Sequence, residues 1–397
     1  LSPHGDVVRF TQYHPKTMTG TLWEVSSKGV GLRPLFPNWT NASTCCGDWM
    51  AGGRYFVFRV TTHEEGWDTI WICQESGRVL HRVNPRPMEL VGGGIDFYNL
   101  TVSKDGSRLY ALGLQPRNRP ELQRFDVQNS EFVPYLKGIP AQVSILGDQL
   151  AYVPKPEGIV FSSRLDGSQK LQLTSDNLLA EFPRVSPDGQ RVAFMAAPPH
   201  GTVHIYLVPF HGGDVQQVSF GDTAEGYPDW SPDGSQLVLS GLPEYMDESQ
   251  AKPIQVLDLR NHRTSPIPGS EGLVCPRWSP DGRYVAAKSA DSKRLMLYEF
   301  ATQRWTQLVN LSINFLNWSH DGRLIYFDTY PGDAIESGLY RVRVASGSLE
   351  RITDLKTMRQ APGFFYQYWT GLAPDDSPLF LRQLSTEELY AIHLQMP

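Results

Sequence analysis

The histidines, serines, carboxylates and cysteines of this chain set the range of chemistry open to it. His200 and His204 stand four residues apart, the spacing that pairs two imidazoles on one helix face for zinc. Here His200 falls in the turn Pro198-Pro199-His200-Gly201 and His204 opens an extended segment, so a solvated hairpin is the plainer reading. The other eight histidines are dispersed in sequence, and only folding could gather them. A hydrolase of the nucleophile-elbow type needs Gly-x-Ser-x-Gly, and no serine has a glycine two positions before it, which excludes the elbow but not every hydrolase. Asp188, Asp233, Asp281 and Asp321 recur once per repeat. Acid–base pairs need environments that push their pKa values apart, so identically repeated carboxylates read as turn chemistry. Cys45, Cys46, Cys73 and Cys275 make neither a disulfide framework nor a zinc pattern. The adjacent pair is read as two buried thiols, with a strained vicinal disulfide as the alternative. No catalytic residue, metal or cofactor is expected.

These groups are carried by a repeat. Trp-Ser-Pro-Asp-Gly is complete at Trp230–Gly234 and Trp278–Gly282, with close variants at Val102–Gly106, Val185–Gly189 and Trp318–Gly322. Weaker copies lie at Ser2–Gly5, Trp49–Gly53, Ser144–Gly147 and Ala373–Asp376, so that the copies end 40 to 54 residues apart. Ser bonds local backbone, Pro presets φ, and Gly takes the conformation other residues resist, which makes a β-turn between two apolar runs. Third- and fourth-strand candidates follow, for example His204–Val208 and Gln216–Ser219. Ser385–Leu389 has the look of a helix cap, but the period assigns Leu389–Leu394 to a strand.

Four-stranded units at this spacing predict an all-β chain, a β-propeller of antiparallel blades, because one blade cannot bury both its faces. Eight blades are expected, with seven as the alternative. In that arrangement residues 1–30 are an extra hairpin from a preceding repeat, packed on or beside the ring. Residues 31–397 form the propeller, closed by strand exchange between the two ends, with Arg33–Phe36 completing the last blade. Turns that depart from the motif, at Gly52, Leu146-Gly147 and Asp375-Asp376, are expected to be altered.

If the strand before each turn is innermost, its first residues face a central channel. They differ from blade to blade: Asp96 and Tyr98, Glu181, Glu225 and Tyr227, Glu271, Asn314, Gln367 and Tyr368. Variable side chains on a constant scaffold are what a binding face needs. Further along, Arg184, Asp229, Arg277 and Asn317 share one register, where pairing between blades is the competing role. Trp230, Trp278 and Trp318 are expected to pack between sheets. Five Asn-x-Ser/Thr sequons, at Asn38, Asn41, Asn99, Asn310 and Asn317, read as incidental, the last because it sits on an inner strand.

The Trp-Ser-Pro-Asp-Gly turns resemble those of the TolB-like, or WD40-like, propellers over essentially the whole chain. Three further segments are similar to the C-terminal propeller region of bacterial membrane-anchored winged-helix transcriptional regulators. They are Cys45-Cys46-Gly47 ahead of Arg54–Phe58, Ile267–Leu273, and Trp369–Pro378. The resemblance implies an extracytoplasmic, periplasmic sensor or protein-contact region. The chain opens Leu1-Ser2-Pro3-His4-Gly5, already inside the motif, and is expected to be a piece of a longer protein.

Composition agrees with many short strands: 40% hydrophobic and 11% aromatic residues, with 35 Gly and 30 Pro. A net charge of -6 with scattered Lys and Arg argues against nucleic acid as a partner. No apolar run is long enough to span a bilayer as a helix. The chain is therefore expected to be a monomeric, non-enzymatic binding or sensing module with a protein partner or small ligand at the channel face. A channel-based lyase or hydrolase and an architectural repeat scaffold are the alternatives.

Overall fold

The computed structural model describes residues 1–14, 19–39, 42–62, 68–75, 80–84, 96–114, 120–139, 141–154, 157–198, 201–220, 222–242, 252–329, 337–356, 358–361, 368–384 and 387–393. Among these, every element is a strand or a single 3-10 turn. The turns explain why. At Ser279–Gly282 the Gly282 amide donates to the Ser279 carbonyl at 3.0 Å, and Gly282 takes φ +76°. Asp281 accepts from the Ser279 hydroxyl at 2.6 Å and from the Arg283 amide at 3.0 Å. The same bonds recur at Asp188, Asp233 and Asp321, and hold all four carboxyls below the usual range. These carboxylates build turns. The altered copies differ as expected: Asp376 takes φ +61° in place of a glycine, and Gly147-Asp148 forms a two-residue hairpin between Leu146 and Gln149.

The chain divides into two compact units, residues 1–119 with 385–397, and residues 120–384. In the second, six four-stranded antiparallel sheets lie in cyclic contact through their first strands, Ala141–Leu146, Leu179–Val185, Glu225–Trp230, Leu273–Trp278, Leu316–Trp318 and Thr370–Leu372. Those strands therefore line the axis. The sixth sheet is composite: Pro378–Arg382 pairs with Glu121–Asp126, which pairs with Glu131–Pro134. Clusters such as Val192, Phe194, Val208 and Phe210 fill the seams between neighbouring sheets.

The first unit has three sheets. Val7–His14, Thr19–Ser26 and Arg33–Pro34 form one, and Ala42–Trp49 through Leu80–Asn84 form the next. In the third, Asp96–Val102 and Arg108–Leu114 are joined by Glu387–His393, a strand and not a helix.

The described residues of the second unit close a ring on six sheets, where eight blades, or seven, were expected over residues 31–397; periodicity counts turns without showing where a cycle shuts. The compact units divide after residue 119 and after residue 384, whereas the sequence placed a boundary after residue 30. Arg33–Phe36 does not complete the last blade: Arg33 and Pro34 pair with Glu24 and Trp23. A nearby partner costs less loop-closure entropy, and Arg33 also reaches the Glu24 carboxylate at 2.7 Å. Glu121–Asp126 suits the composite sheet better, burying Leu122 and Phe125.

Cys45 and Cys46 are bonded to each other, not two reduced thiols. A bulge between Cys45 and Asp48, with Cys46 at φ +57°, breaks the alternation that would send neighbouring side chains to opposite faces. Beside it, a Cβ on Gly47 would run into the Phe56 ring and come within 2.7 Å of the Val57 carbonyl. Gly47→Ala should therefore cost about 1–3 kcal/mol, read as a lowered urea midpoint. An unchanged midpoint would show that Phe56 can move aside.

Candidate functional site

In the ring of residues 120–384 three of the six axial strands share an irregularity. Their registers shift between Glu181 and Arg184, Gly226 and Asp229, and Val274 and Arg277. Within the shifts, Phe182, Tyr227 and Cys275 take φ of 53°, 57° and 55°. A non-glycine residue held there costs on the order of 1 kcal/mol, so the surrounding structure must impose it. The result is a change of aim. Phe182 stacks on Phe315 at 5.3 Å between centroids, and Tyr227 lies 5.4 Å from Phe182 and 6.4 Å from Phe315. The strand of Phe182 and the strand that Phe315 immediately precedes are not neighbours in the cycle, so these rings meet across the axis. All three are fully buried. They plug the channel.

On the turn side of the plug, one register carries Ser144, Arg184, Asp229, Arg277 and Asn317. Ser144 accepts from the Val185 amide at 3.0 Å and Asp229 from the Trp278 amide at 2.8 Å, each bond joining one sheet to the next. Asn317 donates to the Thr370 carbonyl at 3.2 Å. The indoles of Trp230 and Trp318 donate to the carbonyls of Arg184 and Arg277, both at 3.0 Å, which places them between sheets. Arg184 Nε lies 3.6 Å from Asp229 Oδ1. Arg277 donates to the carbonyls of Pro276 (2.8 Å) and Tyr227 (3.3 Å), with its guanidinium 4.7 Å above the Phe315 ring.

The expected mouth residues are dispersed. Glu181 is buried, 3.4 Å from the Gln142 amide nitrogen. Glu225 lies 3.4 Å from His204 Nδ1, so that histidine faces a carboxylate. Tyr227 belongs to the plug. Glu271 is exposed beside Gly272, and Tyr368 is half-buried. Asn314 is buried and donates to Asp328 at 2.7 Å. Asp96 and Tyr98 lie on a strand of the other unit, Tyr98 at a register shift; their side chains, and the whole of Gln367 and His200, lie outside the described residues.

Sequence reasoning missed Asp328, at the end of a second strand. Its carboxylate accepts from the amide nitrogens of Asn314 and Gln360 (both 2.7 Å), the Phe315 amide (3.2 Å) and the Thr370 hydroxyl (3.3 Å). Burial nevertheless raises it to about 6. The sole signal was an acidic residue ending the apolar run Leu324–Phe327. Among the described residues, no group of three or more His, Cys, Asp or Glu is placed to hold a metal ion. No helix there is long and apolar enough to cross a membrane.

No family profile matches. The solved structure of a putative TolB from Agrobacterium tumefaciens superposes with a TM-score of 0.52 at 18% identity, covering 70% of this chain and 99% of that one. The fold is that of a TolB-like β-propeller. Two curated proteins share shorter stretches with this chain. The Tol-Pal system protein TolB of Alcanivorax borkumensis is 32% identical over 75 residues, 19% of this chain and 17% of that protein. Dipeptidyl-peptidase 5 of Porphyromonas gingivalis is 27% identical over 142 residues, 32% of this chain and 20% of that protein. The matched stretches span a fifth or less of either relative.

Proposed function

We propose that this chain is a non-catalytic binding module of an extracytoplasmic bacterial regulator, taking a protein partner or small ligand at the axis of the six-sheet ring. The observation that carries the reading is the aromatic plug. Phe182, Tyr227 and Phe315 meet at the axis of the ring, and on their turn side Arg184 and Asp229 each keep 18% of the side chain exposed. Charged groups set on rigid strands beside a closed floor suit recognition. The likeness to a Tol-Pal system protein and the regulator-like segments support the compartment and the context. A propeller enzyme is the second reading, favoured by the stretch shared with a dipeptidyl-peptidase.

The two separate in one assay. The chain is presented with a panel of short peptides, small acids, amines and sugars, reading thermal stabilisation and turnover together. Saturable stabilisation by at least one class without turnover is expected. Turnover of any member would establish the enzyme reading, and a panel without any stabilisation would end the binding one.

A further inference from the structure

Arg184 and Arg277 break the pattern of their register. Ser144 and Asp229 accept an amide from the next sheet there, and Asn317 donates to a carbonyl. A guanidinium accepts nothing, so the two arginines cannot perform the acceptor role. They also leave donors unused. Arg184 Nη2 and Arg277 Nε are buried and have no hydrogen-bond partner among the described residues. Arg277 is 3% exposed, so its unused donor is shut in with the plug. Burying an N–H of a charged group without an acceptor is costly, and such groups persist where an absent partner supplies it.

The charges point the same way. Asp229 is shared: Oδ1 faces Arg184 at 3.6 Å, and Oδ2 is taken by the Trp278 amide at 2.8 Å. Two guanidinium groups thus stand beside one carboxylate, an excess of one positive charge. Burial, and after it the like charge of Arg277, holds Arg184 below the ordinary guanidinium range, while Asp229 draws it back up. Burial likewise lowers Arg277, opposed by Asp229. One further anion would balance the cluster and offer Arg184 Nη2 an acceptor. Guanidinium geometry fits a planar carboxylate in particular, which can accept two N–H bonds side by side.

We propose that Arg184 and Arg277 form a carboxylate-binding site on the turn side of the aromatic plug. The site rests on the ring being a binding module and names the chemistry it selects. Phe315 supports the arginine from below, and Asp229 limits the affinity by competing for Arg184.

A free carboxylate is carried by a peptide C-terminus or by a small organic acid. Calorimetric titration of the whole chain with N-acetyl-dialanine, its C-terminal amide, and succinate separates these sources. The acid peptide, succinate or both should bind saturably, and the amide at least tenfold more weakly than the acid. Binding of succinate alone would assign a small acid, and binding of the acid peptide alone a chain terminus. Arg184→Met should weaken the acid at least tenfold with an unchanged melting temperature. Asp229→Asn, which keeps an acceptor for the Trp278 amide, should tighten it severalfold. Arg277→Met removes the buried partner as well; should it fail to fold, the Arg184 and Asp229 variants still decide. Equal binding of acid and amide, or undiminished binding by Arg184→Met, would overturn the site while leaving the ring a binding module. Absence of binding by both acids would also overturn it. Binding of none of the broader panel would remove the binding reading itself.

Discussion

Phe315→Ala should lower the stability of the ring by about 3–5 kcal/mol, the range for truncating a fully buried aromatic. Phe315 is 1% exposed and packs face to face on Phe182, with rings inclined by only 13°. Its removal leaves a cavity at the axis, where strands held in a cycle have little freedom to collapse inward. The loss does not end there. Arg277 rests over the same ring, and without it a buried guanidinium keeps two carbonyl partners but loses its aromatic face. Phe315→Leu is the control: it keeps most of the volume and should cost under about 1.5 kcal/mol. Urea unfolding followed by tryptophan fluorescence reads both. A cost below about 1 kcal/mol for the alanine variant would mean that the rings do not meet across the axis.

A pH dependence centred on Asp328 is the second large effect. Four donors favour its ionised form, yet burial dominates and raises it from 3.8 to about 6. Between those values the folded chain holds a proton that the unfolded chain has released. Stability from this group is therefore complete below about pH 4 and is lost as pH rises through 6. About 3 kcal/mol is at stake across that window. Asp328→Asn cannot titrate. Its amide would face the Asn314 and Gln360 nitrogens, but Gln360 Oε1 has no partner among the described residues, and turning that amide over supplies an acceptor. The stability difference between wild type and variant should fall by about 3 kcal/mol from pH 4 to pH 7. Parallel urea midpoints over that range would show that the Asp328 carboxyl titrates alike in both states.

Legibility in the sequence followed the range of the interactions. Ser279, Pro280, Asp281 and Gly282 close their turn with bonds spanning a few residues, so their identities alone announce it. The strand at Glu387–His393 was also legible, since the repeat period outweighed a local helix-cap pattern. Its partner was not. Pairing of Glu387 with Leu114, or of Arg382 with Glu121, joins segments more than 250 residues apart, and no local preference records it. Phe182 and Tyr227 hid the plug for a related reason: a left-handed conformation is announced by glycine, and here neighbouring sheets impose it on aromatic residues. The mouth residues were chosen by strand register, which a bulge resets at Glu181 and Tyr227, while Asn314 is drawn in by Asp328.

Turn chemistry and the alternation of apolar residues, both short-range, were enough for this chain by itself to determine β-hairpin units and hence a propeller. Where the ring shuts, which strands change sheets, what stops its axis, and which charged groups are left with donors unused were decided only by the tertiary structure. Those outcomes depend on contacts between residues far apart in the chain. Loop entropy, packing volume and desolvation weigh them together, and none of the three can be read from neighbouring residues alone.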